Sequence, residues 1–147
     1  MSQTTAVYGP LPPPAPGAIS LAGGYDAPAR ARRQVGSHLE RNTLSGMVAT
    51  DALLIVSELV TNSVVHANSD ARKTLVVEVT VLPNHVRIAV TDAGASAEPR
   101  MLPVDLTRSG GNGLRLIDNL CQSWGVIRDG TGATRVWCEL PLGEAPL

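Results

Sequence analysis

A change of hydrophobic period constrains this chain more than any other feature. Over residues 47–67 the apolar side chains Leu53, Leu54, Val56, Leu59, Val60, Val64 and Val65 recur at helical spacing, which predicts a helix lying against a core. Asn68-Ser69-Asp70 ends that helix, and period two takes over. In residues 74–82, Leu75, Val77, Val79 and Val81 point one way while Glu78 and Thr80 point the other. Pro83-Asn84 supplies a turn and residues 86–92 a second strand, so the pair is predicted as an antiparallel hairpin.

The flanking segments fit around this unit. Residues 1–24 carry Pro10, Pro12, Pro13, Pro14 and Pro16 among several glycines, which predicts a flexible tail before an ordered domain over residues 25–147. Asp26-Ala27-Pro28 resembles a helix cap with proline in the first turn, and Ala31, Val35 and Leu39 then recur every four residues. Arg30, Arg32, Arg33, Glu40 and Arg41 occupy the other faces, open to solvent, a partner or a homodimer. Residues 93–111 lack periodicity, and a loop of that length inside a small domain is often functional. A helix is expected from residue 112 or 113 to 120, then strands over 123–128 and 134–140. Helices and antiparallel strands fall in separate blocks, which predicts a two-layer α+β sandwich.

Composition narrows the function classes. The chain has 147 residues, enough for one domain. Its net charge of −1 gives no global reason to expect nucleic acid or an anionic membrane as partner. Lys73 is the only lysine and follows no glycine-rich loop, which excludes a phosphate site of the Gly-rich-loop-then-Lys type. Cys121 and Cys138 lack metal-ligand spacing and read as buried thiols in a reducing compartment. The first ten residues show no basic start followed by an apolar run, and no apolar stretch was expected to reach the roughly 20 residues that span a bilayer. The expectation is a soluble cytoplasmic protein.

Three groups of residues carry candidate chemistry. Glu58, Asn62 and His66 lie four apart and share one helix face. A carboxylate and an amide oxygen one turn apart suit Mg²⁺, although they equally describe an exposed polar edge. Asp92 continues the row of Val86, Ile88 and Val90, where an acid needs a hydrogen-bonding partner. With Gly94 beside it, Asp92 could accept from the exocyclic amine of adenine, or simply end the strand in a solvated turn. The third group, Ser109-Gly110-Gly111-Asn112-Gly113-Leu114, opens a helix whose free N–H groups suit an anion. Glycine-rich helix starts are common, so this group says little alone.

The order of the three groups says more. Ser57-Glu58-Leu59-Val60-Thr61-Asn62-Ser63-Val64-Val65-His66-Ala67 resembles the Asn-box of the GHKL ATPase/kinase superfamily, in its anti-sigma-factor kinase branch. Gly110-Gly111-Asn112-Gly113-Leu114-Arg115-Leu116-Ile117 resembles that superfamily's second glycine box. The likeness spans residues 26–142 and implies the Bergerat, histidine-kinase-like ATPase fold, with a mixed, mainly antiparallel sheet. It implies ATP and Mg²⁺ as ligands, with Asn62 as the metal ligand and Glu58 as the carboxylate that steers or deprotonates the attacking group. Asp92 with Gly94 would read adenine, Gly111, Gly113 and Leu114 would line the phosphate end, and Thr134 would support Asp92. Arg108 is a further candidate for γ-phosphate charge.

The resemblance implies a serine/threonine kinase acting on a small regulatory protein of the anti-anti-sigma kind, or a non-catalytic module that sequesters a sigma factor. Two departures matter. The usual Asp-x-Gly-x-Gly reads Asp92-Ala93-Gly94-Ala95-Ser96, and His66 lies within the Asn-box helix, away from any separate phosphoacceptor hairpin.

Overall fold

The structure, a computed structural model, describes residues 4–66, 73–92, 113–130 and 132–143. Its elements are β1 (Thr4–Tyr8), β2 (Ile19–Ala22), α1 (Ala27–Arg41), α2 (Gly46–His66), β3 (Thr74–Val81), β4 (His85–Asp92), α3 (Gly113–Leu120), β5 (Ser123–Arg128) and β6 (Thr134–Pro141). The strands form one six-stranded sheet in the order β1-β5-β6-β4-β3-β2. β1 runs parallel to β5 and every other pairing is antiparallel. The sheet is therefore mixed and mainly antiparallel, and the helices pack on one side of it. This is the expected α+β sandwich.

Alternation decides which side is covered. Leu75 and Val77 of β3, Val86, Ile88 and Val90 of β4, and Cys138 and Leu140 of β6 are at most 3% exposed and share the helix side. α1 contributes Ala31, Val35 and Leu39, and α2 contributes Ala52, Ile55, Val56, Leu59, Val60 and Val64. Each of the larger aliphatic side chains contributes about 1.5–3 kcal/mol on removal from water. Leu54, expected in the α2 stripe, is instead 43% exposed, because the helix turns that position away from the sheet. α2 is also apolar and long enough, by composition alone, to cross a bilayer, contrary to the expectation from the sequence. Its packing against α1, α3 and the sheet accounts for that hydropathy.

α1 begins and ends by identifiable means. Pro28 sits in its first turn, but Asp26 makes no side-chain cap bond and lies 3.7 Å from Arg30 instead. At the other end Thr43 donates to Glu40 O at 3.0 Å and Leu44 to Leu39 O at 2.9 Å. That is a Schellman closure, with Thr43 at a φ of 55° where glycine is usual. α1 is fixed to α2 by Arg32, whose Nη1 donates to Ser57 Oγ at 2.7 Å.

The largest correction concerns the N-terminus. Residues 1–24 were expected to form a flexible tail, yet β1 and β2 take the two opposite edges of the sheet. Both strands are short and flank the proline run, so neither has a local signature. Their order comes from pairing with β5 and β3, which are distant in sequence.

Candidate functional site

α2 carries Glu58 and Asn62 one turn apart, as their spacing dictates. Glu58 is half-buried, whereas Asn62 is only 3% exposed. A buried amide on an apolar helix is costly to desolvate unless its polar atoms are hydrogen-bonded. His66 is the last residue of the helix. Among the described residues there is no cluster of three or more His, Cys, Asp or Glu. A site relying on one amide and one carboxylate, with the remaining positions left to water and phosphate, suits Mg²⁺.

β4 carries Asp92 as its last residue, half-buried and on the helix side of the sheet. The register then shows what sequence spacing could not. Asp92 is flanked by Leu75 of β3 and by Thr134, the first residue of β6. The same rung continues through Leu21 on one side, and through Arg128 and Tyr8 on the other. Opposite residues in an antiparallel pair have Cβ atoms about 4.5–5.5 Å apart, so a threonine hydroxyl can reach the carboxylate. The structure thus brings Thr134 beside Asp92, the two residues that the resemblance linked. Arg128 shares this rung and face and was missed in the sequence. Its signal was the alternation Trp124, Val126, Arg128.

α3 begins at Gly113, with Leu114 second, so the glycine-rich box does open a helix. Its inward residue Ile117 is fully buried, and α3 packs against α2. Gly94, Arg108 and Gly111 lie outside the described residues. β3 begins at Thr74, beside the rung that holds Asp92.

Two further clusters lie elsewhere. On the helix side of the sheet, Cys121 and Cys138 are buried free thiols. A hydrogen bond to Cys121, followed by burial, pushes the Cys138 thiol far above its ordinary range. On the opposite face Glu139 accepts from Ser123 Oγ at 2.7 Å, and His85 Nε2 lies 2.8 Å from it, with Arg87 at 3.4 Å. The Ser123 bond foremost, with help from Arg87 and His85, holds the Glu139 carboxyl below its usual range.

Comparison with known proteins follows the same lines. A crystal structure of the RsbU and RsbW domains of Rv1364c from Mycobacterium tuberculosis superposes with a TM-score of 0.60 at 20% identity. The alignment covers 92% of this chain and 35% of that one, and at this identity the likeness is one of fold. A search of curated protein sequences gave no match. The family description "Histidine kinase-like ATPase domain" matches residues 25–138, most of the chain. With a buried Asn62 on α2, Asp92 paired to Thr134, and a helix opening at Gly113, the chain belongs to the histidine kinase-like ATPase domain family.

Proposed function

We propose that the chain is a cytoplasmic, Mg-ATP-dependent serine/threonine protein kinase of the anti-sigma type, acting on a small regulatory protein. ATP is the ligand that the family implies. The observation that carries the reading is the Asp92–Thr134 pair, an acceptor carboxylate with a hydroxyl beside it on the helix-covered side of the sheet. That arrangement accepts a hydrogen bond from the exocyclic amine of adenine and excludes the carbonyl of guanine. The fold likeness to a structure containing an RsbW domain is consistent with this branch.

Phosphoryl transfer asks a protein mainly for positioning and charge neutralisation. Asn62 would hold Mg²⁺ through its amide oxygen, and the bound ion supplies charge neutralisation at the phosphates. The N–H groups at the start of α3, with Gly111 and Gly113, would hold phosphate oxygens, and Arg108 would add positive charge. Glu58 would take the proton of the partner's hydroxyl as its oxygen bonds to the γ-phosphorus and the bond to ADP breaks.

A second reading has its own support. Ser96 stands where the second glycine of Asp-x-Gly-x-Gly is usual, which favours a nucleotide-binding module that sequesters a sigma factor without phosphate transfer. Incubation with labelled ATP, Mg²⁺ and Ser-bearing candidate partners separates the two. Label on a partner that is lost with Glu58→Ala supports the kinase, whereas binding without transfer over hours supports the module. If Mg-ATP at 100 times a measured dissociation constant failed to add about 2.7 kcal/mol of stability, both readings would fall.

A further inference from the structure

Among the described residues the second face of the sheet carries no helix, yet parts of it are buried. Glu78 and Arg135 are 6% and 8% exposed and form an ion pair, and Ala89 beside Glu78 in the register is fully buried. Over Glu78 runs the segment between β1 and β2. The two strands lie at opposite sheet edges, so residues 9–18 must cross the sheet. They cross on this face, because Ala15 N donates to Glu78 Oε2 at 2.9 Å. The crossing starts where Gly9 N donates to Arg128 O at 3.0 Å. It ends in a turn closed by Ala18 N on Ala15 O, with Gly17 at a φ of 83°.

This strap has little slack. Its prolines hold it extended, and each residue before a proline is restricted as well. From Gly9 to Ala15 are six steps, about 19 Å at about 3.1 Å each. From Gly9, which continues β1, to Glu78 in β3 are four strand spacings of about 4.8 Å and four residues of about 3.3 Å, a diagonal of roughly 23 Å that six steps cover only with the reach of the Glu78 side chain. The strap therefore spans its anchors nearly taut.

Its anchors also bracket the nucleotide-reading rung. Arg128 is the register partner of Thr134, and Arg135, held by Glu78, is the next residue after it. Thr91, the register partner of Arg135, is the residue before Asp92. We propose that the strap, acting through Glu78 and Arg135, is a positioning device for base recognition. By fixing the strand ends from behind, it holds Thr134 opposite Asp92 on the front. Ala15, Glu78 and Arg135 are positioning residues in this scheme and touch no ligand.

The inference rests on the nucleotide site proposed above, and the test keeps the two apart. Mg-ATP and Mg-GTP binding are measured by titration calorimetry on the full chain and on Ala15→Pro. Ala15 already precedes Pro16, so this change removes the N–H donor while leaving the extended path available. Expected is an ATP affinity about tenfold lower and an ATP-over-GTP ratio at least threefold smaller, at a temperature where circular dichroism shows the variant folded. Loss of stability alone would not change that ratio. Pro14→Ala, which keeps the donor, should stay within twofold of wild type. By reciprocity, saturating Mg-ATP should slow hydrogen exchange at the Ala15 amide at least threefold in the wild-type chain, a measurement that needs no variant. An unchanged ratio in folded Ala15→Pro, or an unchanged Ala15 exchange rate with ATP bound, overturns the positioning role alone. Absence of ATP binding by the wild type overturns the site and this inference together.

Discussion

Asp92 and Thr134 face one another on the rung where β4 ends and β6 begins. In the proposed site that carboxylate would offer the adenine amine a charged acceptor, with Thr134 orienting it. Hydrogen bonds to charged groups are worth about 1.5–3 kcal/mol and neutral ones about 0.5–1.5 kcal/mol. Asp92→Ala should therefore lower ATP affinity about tenfold to a hundredfold, and Thr134→Val about threefold to tenfold, by titration calorimetry. Equal ATP affinity in Asp92→Ala and wild type would remove the base-reading role.

Asn62 sits at 3% exposure on α2, so Asn62→Ala tests the metal without disturbing the surface. Alanine favours the helix, and the fold should persist. Wild-type ATP affinity should fall at least tenfold when EDTA replaces Mg²⁺, whereas in Asn62→Ala the gap should shrink below threefold. An undiminished gap in the variant would assign the metal to other ligands.

Ile88 is fully buried between Val79 and Cys138 in the sheet register. Ile88→Ala removes contacts that the neighbours cannot all restore, and should cost about 2–5 kcal/mol in urea unfolding. A loss below about 1 kcal/mol would place that row outside the core.

Thr43 closes α1 in the left-handed region, at a φ of 55°, and its side chain is exposed. A non-glycine residue in that conformation costs roughly 1–2 kcal/mol, partly offset by the greater unfolded-state entropy of glycine. Thr43→Gly should raise stability by about 0.5–1 kcal/mol in the same assay, and destabilisation would contradict the closure described.

Glu139 is held below its ordinary value of 4.5, so its contribution is present above that pH and fades as pH falls through the lowered value. Wild type should be more stable than Glu139→Gln at pH 6, with the two curves converging below about pH 4.5. A constant difference down to pH 3 would exclude the Ser123, Arg87 and His85 contacts as its source.

Much of this architecture was legible because its signals are local. The α2 stripe, the β3–β4 alternation and the α1 repeat are written in runs of a few residues, and each gave the observed element. Glu58 and Asn62 were legible for the same reason, since helix geometry alone puts them on one face. The Asp92–Thr134 partnership was not, because register links residues far apart in sequence and the resemblance supplied only a loose guess. Glu78 read as a polar residue opposite the apolar row of β3, and nothing local announced that Ala15 would cross above it. β1 and β2 were hidden for a physical reason: an edge strand needs just one neighbour, and four or five residues carry too little pattern to announce it.

The parallel pairing of β1 with β5 imposes an order on synthesis. Tyr8 is synthesised long before its neighbour Arg128. At about 5–20 residues per second, the interval is roughly 6–24 s. For that time β1 has no β5 to join, so this early segment must be among the last to be seated.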